Sequence, residues 1–391
     1  MGRGHRLAVN LLEHRVFMSW LIGLLFFGLS AEPAPLPGQP LWTANLAKQY
    51  GFQRFDRQIN KNWLAYQGLV FLSPERIAIY QLNRKTERVS LSSRDASGGG
   101  GNFYLQVEVL DIRDGHEIAQ LRLPACGMFS SVMPARDGNF IVRTGEMLSL
   151  YSPSLQKMAS HRLPLEQGES EAWETNVAPS GEVVVAVRRQ MYPDFAFPGK
   201  STYVEILDAA TLQLKNAFTP QYSAGWLMST GDGHILSYAP AAGWHWTLMD
   251  FEGHWKRFDL STSPLARFRY RKFGLLAHDY LAVYGEDQLV VMSDPTQAVF
   301  TLVEPHQFFH SLVASDRFLA VEVANHPPSY KNGQARLPNS VQVATYDLKT
   351  QSKLLSVDVP SKGLYFAVSA QGDLGIIHDD QLQILHSDGT K

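Results

Sequence analysis

The amino-acid sequence predicts an all-β protein: a seven-bladed β-propeller of four-stranded antiparallel blades, closed by an N-terminal strand that completes the last blade. Three observations support this prediction. A strand–turn–strand pattern recurs seven times along the 391 residues, and a second hairpin signal precedes each copy. The last copy lacks a fourth strand, while an unmatched strand-like segment lies ahead of the first copy.

The repeat is clearest at residues 203–220, YVEILDAATLQLKNAFTP, where two apolar runs flank a polar or small turn at 208–211. Successive copies lie 39 to 57 residues apart, a period typical of an array of small sheets rather than of a wound α/β domain. When the copies are aligned on the end of their leading strand, that end falls at Leu110, Leu150, Leu207, Met249, Met292, Tyr346 and Leu385.

The preceding hairpins place Gly, Asp, Ser or Pro between two apolar runs, near residues 74, 137, 181, 232, 279, 316 and 372. Two hairpins per period give four strands per blade. We expect residues 41–47 to supply the missing outer strand of the last blade, so that neither chain end leaves an open sheet edge. Two β-sandwiches lying side by side are the alternative.

Residues 1–31 have the pattern of a secretory signal peptide: three arginines, an apolar run at 16–29 and small residues at 30–31. An uncleaved membrane anchor formed by residues 16–29 is the alternative, although that run is short for a membrane span. A Pro-rich linker at 32–40 and a single propeller domain at 41–391 follow. We therefore expect a secreted or periplasmic bacterial protein with no membrane contact beyond its N-terminal segment.

The charge and cysteine content limit the possible partners and cross-links. The formal net charge is −2, and removal of residues 1–31 would leave −4, so the chain is not a general polyanion binder. Cys126 is the single cysteine, which excludes an intrachain disulfide, and we expect it to be a small buried apolar residue. We expect a monomer.

The three longest insertions, at 84–102, 188–202 and 325–339, all lie between the second and third predicted strands of a blade. They should therefore emerge on one face, where they bring nine basic and three acidic residues. Together with the blade connection at 266–274, they predict a basic and aromatic surface that binds an unknown protein or an anionic ligand. The candidate binding residues are Arg188, Arg189, Tyr192, Phe195, Arg267, Arg269, Tyr270, Arg271, Tyr330 and Arg336. A solvated rim with inward-facing aromatic rings is the alternative.

No motif identifies a catalytic, metal or cofactor site, and we predict no cofactor and no metal. His306 and His310 are four residues apart and His326 could lie near them, but satisfied polar side chains are the favoured interpretation. Glu171 and Glu174 are assigned to a loop as solvated acids. The glycine run at 98–101 lacks the Lys-Ser/Thr of a phosphate loop, and no specific nucleic-acid motif is present.

The strand pattern of YVEILDAATLQLKNAF resembles that of the YVTN/quinoprotein-like and lactonase-like propellers and of secreted bacterial propeller proteins. The resemblance covers nearly the whole chain after residue 31, but only as a repeat, so it implies the fold and no individual site residue. The tryptophan-docking repeats of quinoprotein dehydrogenases are not matched, and no quinone is inferred.

The predicted fold and surface are consistent with two functions. The favoured one is a non-catalytic binding module that uses the loop-rich face. The alternative is a lactonase-like hydrolase or lyase with a site at the central funnel. An enzyme should bring acids, bases or histidines to the funnel on inner strands, whereas the inner strands predicted at 68–73, 227–230, 275–277 and 364–369 are mostly apolar or Ser/Thr.

Overall fold

The structure is a computed structural model, and all the residues that it describes belong to the compact unit Pro37–Lys391. The described residues are 39–53, 67–84, 103–125, 130–164, 171–178, 181–190, 203–219, 226–230, 234–239, 245–259, 272–275, 281–285, 287–294, 297–304, 307–315, 317–325, 329–331, 334–336, 338–361 and 363–387. The predicted signal peptide and Cys126 therefore lie outside them. Within these ranges, none of the helices has the length and hydropathy needed to cross a membrane.

The chain begins with β1 (Pro40–Asn45) and the one-turn helix α1 (Leu46–Gln49), and the strands that follow form sheets in chain order. The first sheet contains β2 (Gln67–Ser73), β3 (Arg76–Arg84), β4 (Phe103–Asp111) and β5 (Glu117–Ala125). The second contains β6 (Ser130–Pro134), β7 (Phe140–Thr144), β8 (Met147–Tyr151) and β9 (Lys157–Arg162), with a 3-10 turn at Arg136–Gly138.

The third sheet contains β10 (Glu171–Val177), β11 (Val183–Gln190), β12 (Tyr203–Asp208) and β13 (Leu214–Phe218). The fourth contains β14 (Trp226–Thr230), β15 (His234–Ala239), β16 (His245–Asp250) and β17 (Trp255–Asp259). The fifth contains β18 (Lys272–Leu275), β19 (Leu281–Gly285), β20 (Gln288–Asp294) and β21 (Gln297–Val303).

The sixth sheet contains β22 (Phe308–Ala314), β23 (Phe318–Ala324), β26 (Ser340–Asp347) and β27 (Ser352–Pro360), and a separate hairpin pairs β24 (Ser329–Lys331) with β25 (Gln334–Arg336). The seventh contains β28 (Tyr365–Val368), β29 (Leu374–His378) and β30 (Gln381–Leu385), with β1 as its fourth strand. The described residues thus form seven four-stranded antiparallel sheets and one two-stranded sheet.

Packing between the sheets follows chain order. The first strands β2, β6, β10, β14, β18, β22 and β28 contact one another in succession, and β28 also contacts β2. Each sheet is a simple meander in chain order, apart from β1 in the seventh sheet and the β24–β25 hairpin that interrupts the sixth, and lacks the strand exchanges of the β-sandwich alternative. An all-β, propeller-type arrangement is the result.

The N-terminal strand forms the outer edge of the seventh sheet. β1 pairs antiparallel with β30, from Pro40 opposite Leu385 to Asn45 opposite Gln381. The backbone N–H of Leu46 donates to the Asp380 carbonyl at 2.8 Å, and Leu46, Tyr50 and Phe52 are buried in a cluster that includes residues of both the first and the seventh sheets. The prediction of a strand at 41–47 is corrected at its end, because α1 begins at Leu46.

Aspartates close the turns between third and fourth strands. Asp111, Asp208, Asp250 and Asp347 end their strands, and the Oδ1 of each accepts hydrogen bonds from backbone N–H groups two to four residues later. These Asx turns explain the polar position that follows the repeat's apolar strand end. A hydrogen bond from a neighbouring basic side chain, together with those from the backbone N–H groups, lowers the pKa of all four carboxyls, that of Asp111 to about 2.

Two sequence-based assignments are wrong. Glu171 and Glu174 were assigned to a loop, but both lie on β10. The inner strand predicted at 275–277 is Lys272–Leu275. In both cases charged residues occupy strands, because pairing with a neighbouring strand satisfies the backbone whatever the side chains are. The insertion at 325–339 joins β23 to β26, as predicted, and contains the β24–β25 hairpin.

Candidate functional site

The three predicted insertions leave the sheets at one end. They follow β3, β11 and β23 and precede β4, β12 and β26, so all three join a second strand to a third, as predicted. We call the end at which second strands finish and third strands begin the loop-rich end, and the opposite one the turn end. The connections at the turn end in the described ranges are short, and several are closed by the aspartates described above.

The structure describes only part of the predicted binding set. Arg188 lies in β11 with a half-buried side chain. The backbone is described for three others: Arg189 lies in β11, Tyr330 in β24 and Arg336 in β25, where Ser329 is paired with Arg336. The remaining candidates, Tyr192, Phe195, Arg267, Arg269, Tyr270 and Arg271, lie outside the described residues. The convergence of all ten residues on one surface therefore stays a prediction.

Arg188 belongs to an aromatic cluster at the loop-rich end of the third sheet. It is paired with Trp173 on β10 and with Tyr203 on β12, and its guanidinium lies 5.1 Å from the centre of the Tyr203 ring. The Trp173 and Tyr203 rings meet edge to face at 6.2 Å, and the indole N–H donates to the Pro164 carbonyl at 3.2 Å. The cation–π contact and the fixed rings hold the guanidinium in place.

A second arginine–tyrosine pair lies at the loop-rich end of the first sheet. The Arg122 guanidinium lies 5.9 Å from the centre of the Tyr104 ring, and these two residues line a cleft of about 380 Å³ with Leu123 and Pro124. Tyr104 is the second residue after the insertion at 84–102. Sequence analysis missed this pair because β4 and β5 were assigned to the scaffold and not to the rim.

A buried polar row crosses the same face of the first sheet. It consists of Gln67, Gln81, Asn83, Gln106 and Glu108, each at most 4% exposed. Gln67 is paired with Gln81, and Gln81 with Gln106, so these side chains share one face. Asn83, opposite Tyr104, and Glu108, opposite Ile79, lie on the same face at opposite ends of the row, because β3 and β4 run antiparallel.

The amide nitrogens of the row donate hydrogen bonds, but several of its oxygens accept none within the described part of the chain. Gln106 Nε2 donates to the Tyr50 carbonyl at 2.8 Å and to Glu108 Oε1 at 2.6 Å, and Gln81 Nε2 donates to the Gln53 carbonyl at 2.9 Å. Burial raises the pKa of the Glu108 carboxyl. Within the described ranges, four side-chain oxygens of the row have no hydrogen-bond partner, and an unsatisfied buried polar atom costs about 1–3 kcal/mol.

The histidines considered as metal ligands are not assembled into a site by the described residues. His310 lies on strand β22, where its Nδ1 is 3.0 Å from Glu322 Oε2, and His306 and His326 lie outside the described residues. A different group, Asp111, Asp114 and His116, places one ligand atom of each residue within 4.8 Å of the others at the turn end. Asp111 is already paired with Arg113 there, and the other two side chains are exposed.

The composition of the inner strands does not separate an enzyme from a binding module as cleanly as expected. First strands in the described ranges carry Glu171 and Glu174 on β10, Lys272 on β18 and His310 on β22, as well as apolar residues. The prediction that inner strands are mostly apolar or Ser/Thr was therefore too narrow. Of these four side chains, the structure describes that of His310, whose Nδ1 lies 3.0 Å from the Glu322 carboxylate of its own sheet.

Comparison with known proteins yields structural neighbours and no family. The chain matches no protein-family model and no curated protein. The β-propeller domain of the Trilobed protease from Pyrococcus furiosus is 10% identical, with 83% of this chain and 96% of that chain covered and a TM-score of 0.47. A streptogramin B lyase structure is 10% identical, with 79% and 98% covered and a TM-score of 0.44. Pyrococcus horikoshii acylaminoacyl peptidase is 9% identical, with a TM-score of 0.49; 86% of this chain is covered, but only 53% of that one. Similarity at this level assigns no activity.

Proposed function

We propose that the seven four-stranded sheets are the blades of one closed propeller, and that this propeller is a binding module whose loop-rich end takes an anionic protein or ligand. The ordered contacts between first strands, including that of β28 with β2, support the ring. The pairing of β1 with β30 supports closure by the N-terminal strand. A relationship to the YVTN/quinoprotein-like propellers rests on the repeat alone.

The observation that carries the binding function is the pairing of arginine with tyrosine at the loop-rich end of two sheets that bear long insertions. Arg122 over Tyr104 and Arg188 over Tyr203 combine a fixed positive charge with a planar apolar surface. Arginine and aromatic residues are enriched where proteins bind partners tightly. Export across a membrane, predicted from residues 1–31, is part of the same proposal.

Charge reversal at Arg122 tests the proposed face, and the chain offers a matched control. Lys353 also lies on a fourth strand and over the tyrosine of a third strand, with its ammonium 5.8 Å from the centre of the Tyr346 ring, but at the turn end. Arg122→Glu and Lys353→Glu therefore make the same change in net charge. The probe is a labelled poly-glutamate peptide, titrated in 50 mM salt and again in 500 mM salt.

We expect Arg122→Glu to weaken peptide binding at least tenfold at low salt and Lys353→Glu to change it less than threefold, because the attraction of exposed charges is local and screened. Arg188→Glu, with its thermal stability checked, should behave like Arg122→Glu. Equal losses in Arg122→Glu and Lys353→Glu would mean that only net charge matters. Unchanged binding in both loop-rich-end variants would refute the proposed face.

A further inference from the structure

We propose that the cleft beside Arg122 binds the free carboxyl terminus of a peptide whose last residue is apolar. This inference rests on the function proposed above, since it names the chemical group that the loop-rich end recognises at the first sheet. In the described part of the chain the cleft is lined by Tyr104, Arg122, Leu123 and Pro124 and has a volume of about 380 Å³.

The strand pairing places a charge and an apolar surface side by side. Tyr104 on β4 is opposite Pro124 on β5, and Arg122 is two residues before Pro124, so the three side chains lie on one face of the first sheet. Arg122 and Pro124 are exposed, whereas Tyr104 is half-buried. A ligand in the cleft therefore meets a guanidinium and, next to it, a proline and a tyrosine ring.

The guanidinium favours a single carboxylate. Its planar fork of N–H donors matches the two oxygens of one carboxylate, and its contact with the Tyr104 ring, 5.9 Å from the ring centre, limits where that fork can point. Arg122 is the one cation among the four lining residues. A phosphate dianion would therefore leave one of its charges without a cationic partner in this cleft.

The apolar lining favours a chain terminus over other carboxylates. At a peptide terminus the carboxylate is bonded to the carbon that carries the last side chain, so the carboxylate can meet Arg122 while the side chain covers Pro124 and Tyr104. An acidic side chain instead brings its polar backbone towards that surface. The volume is near the lower end for ligand sites, which holds about one or two residues, and a long acyl chain would leave its tail in water.

Saturation-transfer NMR and isothermal titration calorimetry on the full-length protein test the inference. The probe is the N-acetylated hexapeptide Gly-Ser-Gly-Ser-Ala-Leu as the free acid, and its controls are the same peptide with a C-terminal amide and one that ends in serine. We expect the free acid to bind with a Kd of about 0.1–1 mM, as suits a contact of one or two residues, and each control to bind at least fivefold more weakly. The leucine methyl groups should receive the strongest saturation.

Two substitutions of exposed residues separate the charge from the apolar contact. Arg122→Gln should abolish the preference for the free acid over the amide. Pro124→Ser should reduce the preference for leucine over serine at least threefold and keep the preference for the acid. Lys353→Gln, at the turn end, should leave both preferences unchanged.

The outcomes separate this inference from the function proposed above. If Arg122→Glu weakens poly-glutamate binding but the wild type does not prefer the free acid to the amide, the inference is overturned and the proposed face stands. If poly-glutamate binding is unchanged in Arg122→Glu but Arg122→Gln removes the preference for the acid, the inference stands and the ligand of this cleft is not a polyanion. Decanoate binding at least tenfold tighter than the peptide would also overturn it, because the ligand would then be a lipid.

Discussion

Replacing Leu46 by alanine tests whether the N-terminal segment is an integral part of the fold. Leu46 is 1% exposed and follows β1 directly, and its backbone N–H donates to the Asp380 carbonyl in the turn before β30. Its side chain belongs to a buried cluster with Ile377 and Leu382 of the seventh sheet and Ile79 of the first. It therefore links the two sheets that would meet at the closure of a ring.

The size of the effect follows from this burial. Removing a fully buried leucine side chain loses its transfer free energy and leaves a cavity, which together cost about 2–5 kcal/mol in protein cores. We expect about 3 kcal/mol for Leu46→Ala, because the site is lined by residues of two sheets that cannot both collapse into the cavity. Leu214→Ala is the control: Leu214 is 51% exposed on β13, and its loss should stay within about 0.5 kcal/mol.

Equilibrium unfolding in guanidinium chloride, followed by far-UV circular dichroism, gives the free energy difference. Hydrogen exchange of the β1 backbone shows whether the segment opens with the rest of the protein. If β1 closes the ring, its amides should be protected as strongly as those of β29 and β30, and Leu46→Ala should lower the midpoint without changing the slope. Equal stabilities for Leu46→Ala and Leu214→Ala, or unprotected β1 amides in the wild type, would refute the reasoning.

Three further predictions concern named residues. Gly115 has φ +75°, and a Cβ there would lie 2.9 Å from the Trp42 ring, so Gly115→Ala should cost about 2–3 kcal/mol in the same unfolding assay; Gly51, at φ +67° in open space, should cost about 1 kcal/mol. Hydrogen bonds from the Arg317 side chain and from nearby backbone N–H groups hold the pKa of Asp347 well below its usual range. The stability that Asp347 contributes is therefore present above the unfolded-state pKa and is lost as the pH falls. Asp347→Asn should cost about 2 kcal/mol at pH 7, and the difference in stability between variant and wild type should narrow below about pH 5. Burial raises the pKa of both Tyr50 and Tyr346 to about 12. The stability that Tyr50 contributes is therefore present below its unfolded-state pKa and is lost as the pH rises towards 12. In an ultraviolet titration, Tyr50→Phe should remove one phenol from the late-titrating signal and leave that of Tyr346.

The repeat could be predicted because its physical causes are local. An apolar strand followed by an aspartate that closes an Asx turn is visible in a few residues, as at Leu207 and Asp208, and the structure places the end of the third strand there. The turns of the preceding hairpins were equally visible, since Asp137, Gly181 and Gly372 adopt positive φ. Local backbone preferences thus specified the strands and their order.

The buried polar row could not be predicted in the same way. Gln81, Gln106 and Glu108 alternate with apolar residues, and alternation in a strand normally indicates one face in water. Here both faces of β4 are covered, so almost the whole strand is buried. Which face a distant segment covers depends on long-range packing, in this case on residues 50–53 lying over the first sheet, and a hairpin pattern carries no information about it.

The two ends of the sheets differ in a way that bears on where function can lie. At the turn end, aspartates fix the backbone within a few residues, and a changed side chain there chiefly alters stability, as expected for Asp347. At the loop-rich end, long insertions leave the scaffold beside arginines that are held on tyrosine rings, so charge can change without rebuilding a turn. Arg122 and Lys353 are the sharpest comparison, since both stand over a tyrosine of the neighbouring strand and differ mainly in the end they occupy. If binding follows Arg122 and not Lys353, net charge is not the cause, because both variants change it equally, and the end of the sheets that each residue occupies becomes the explanation.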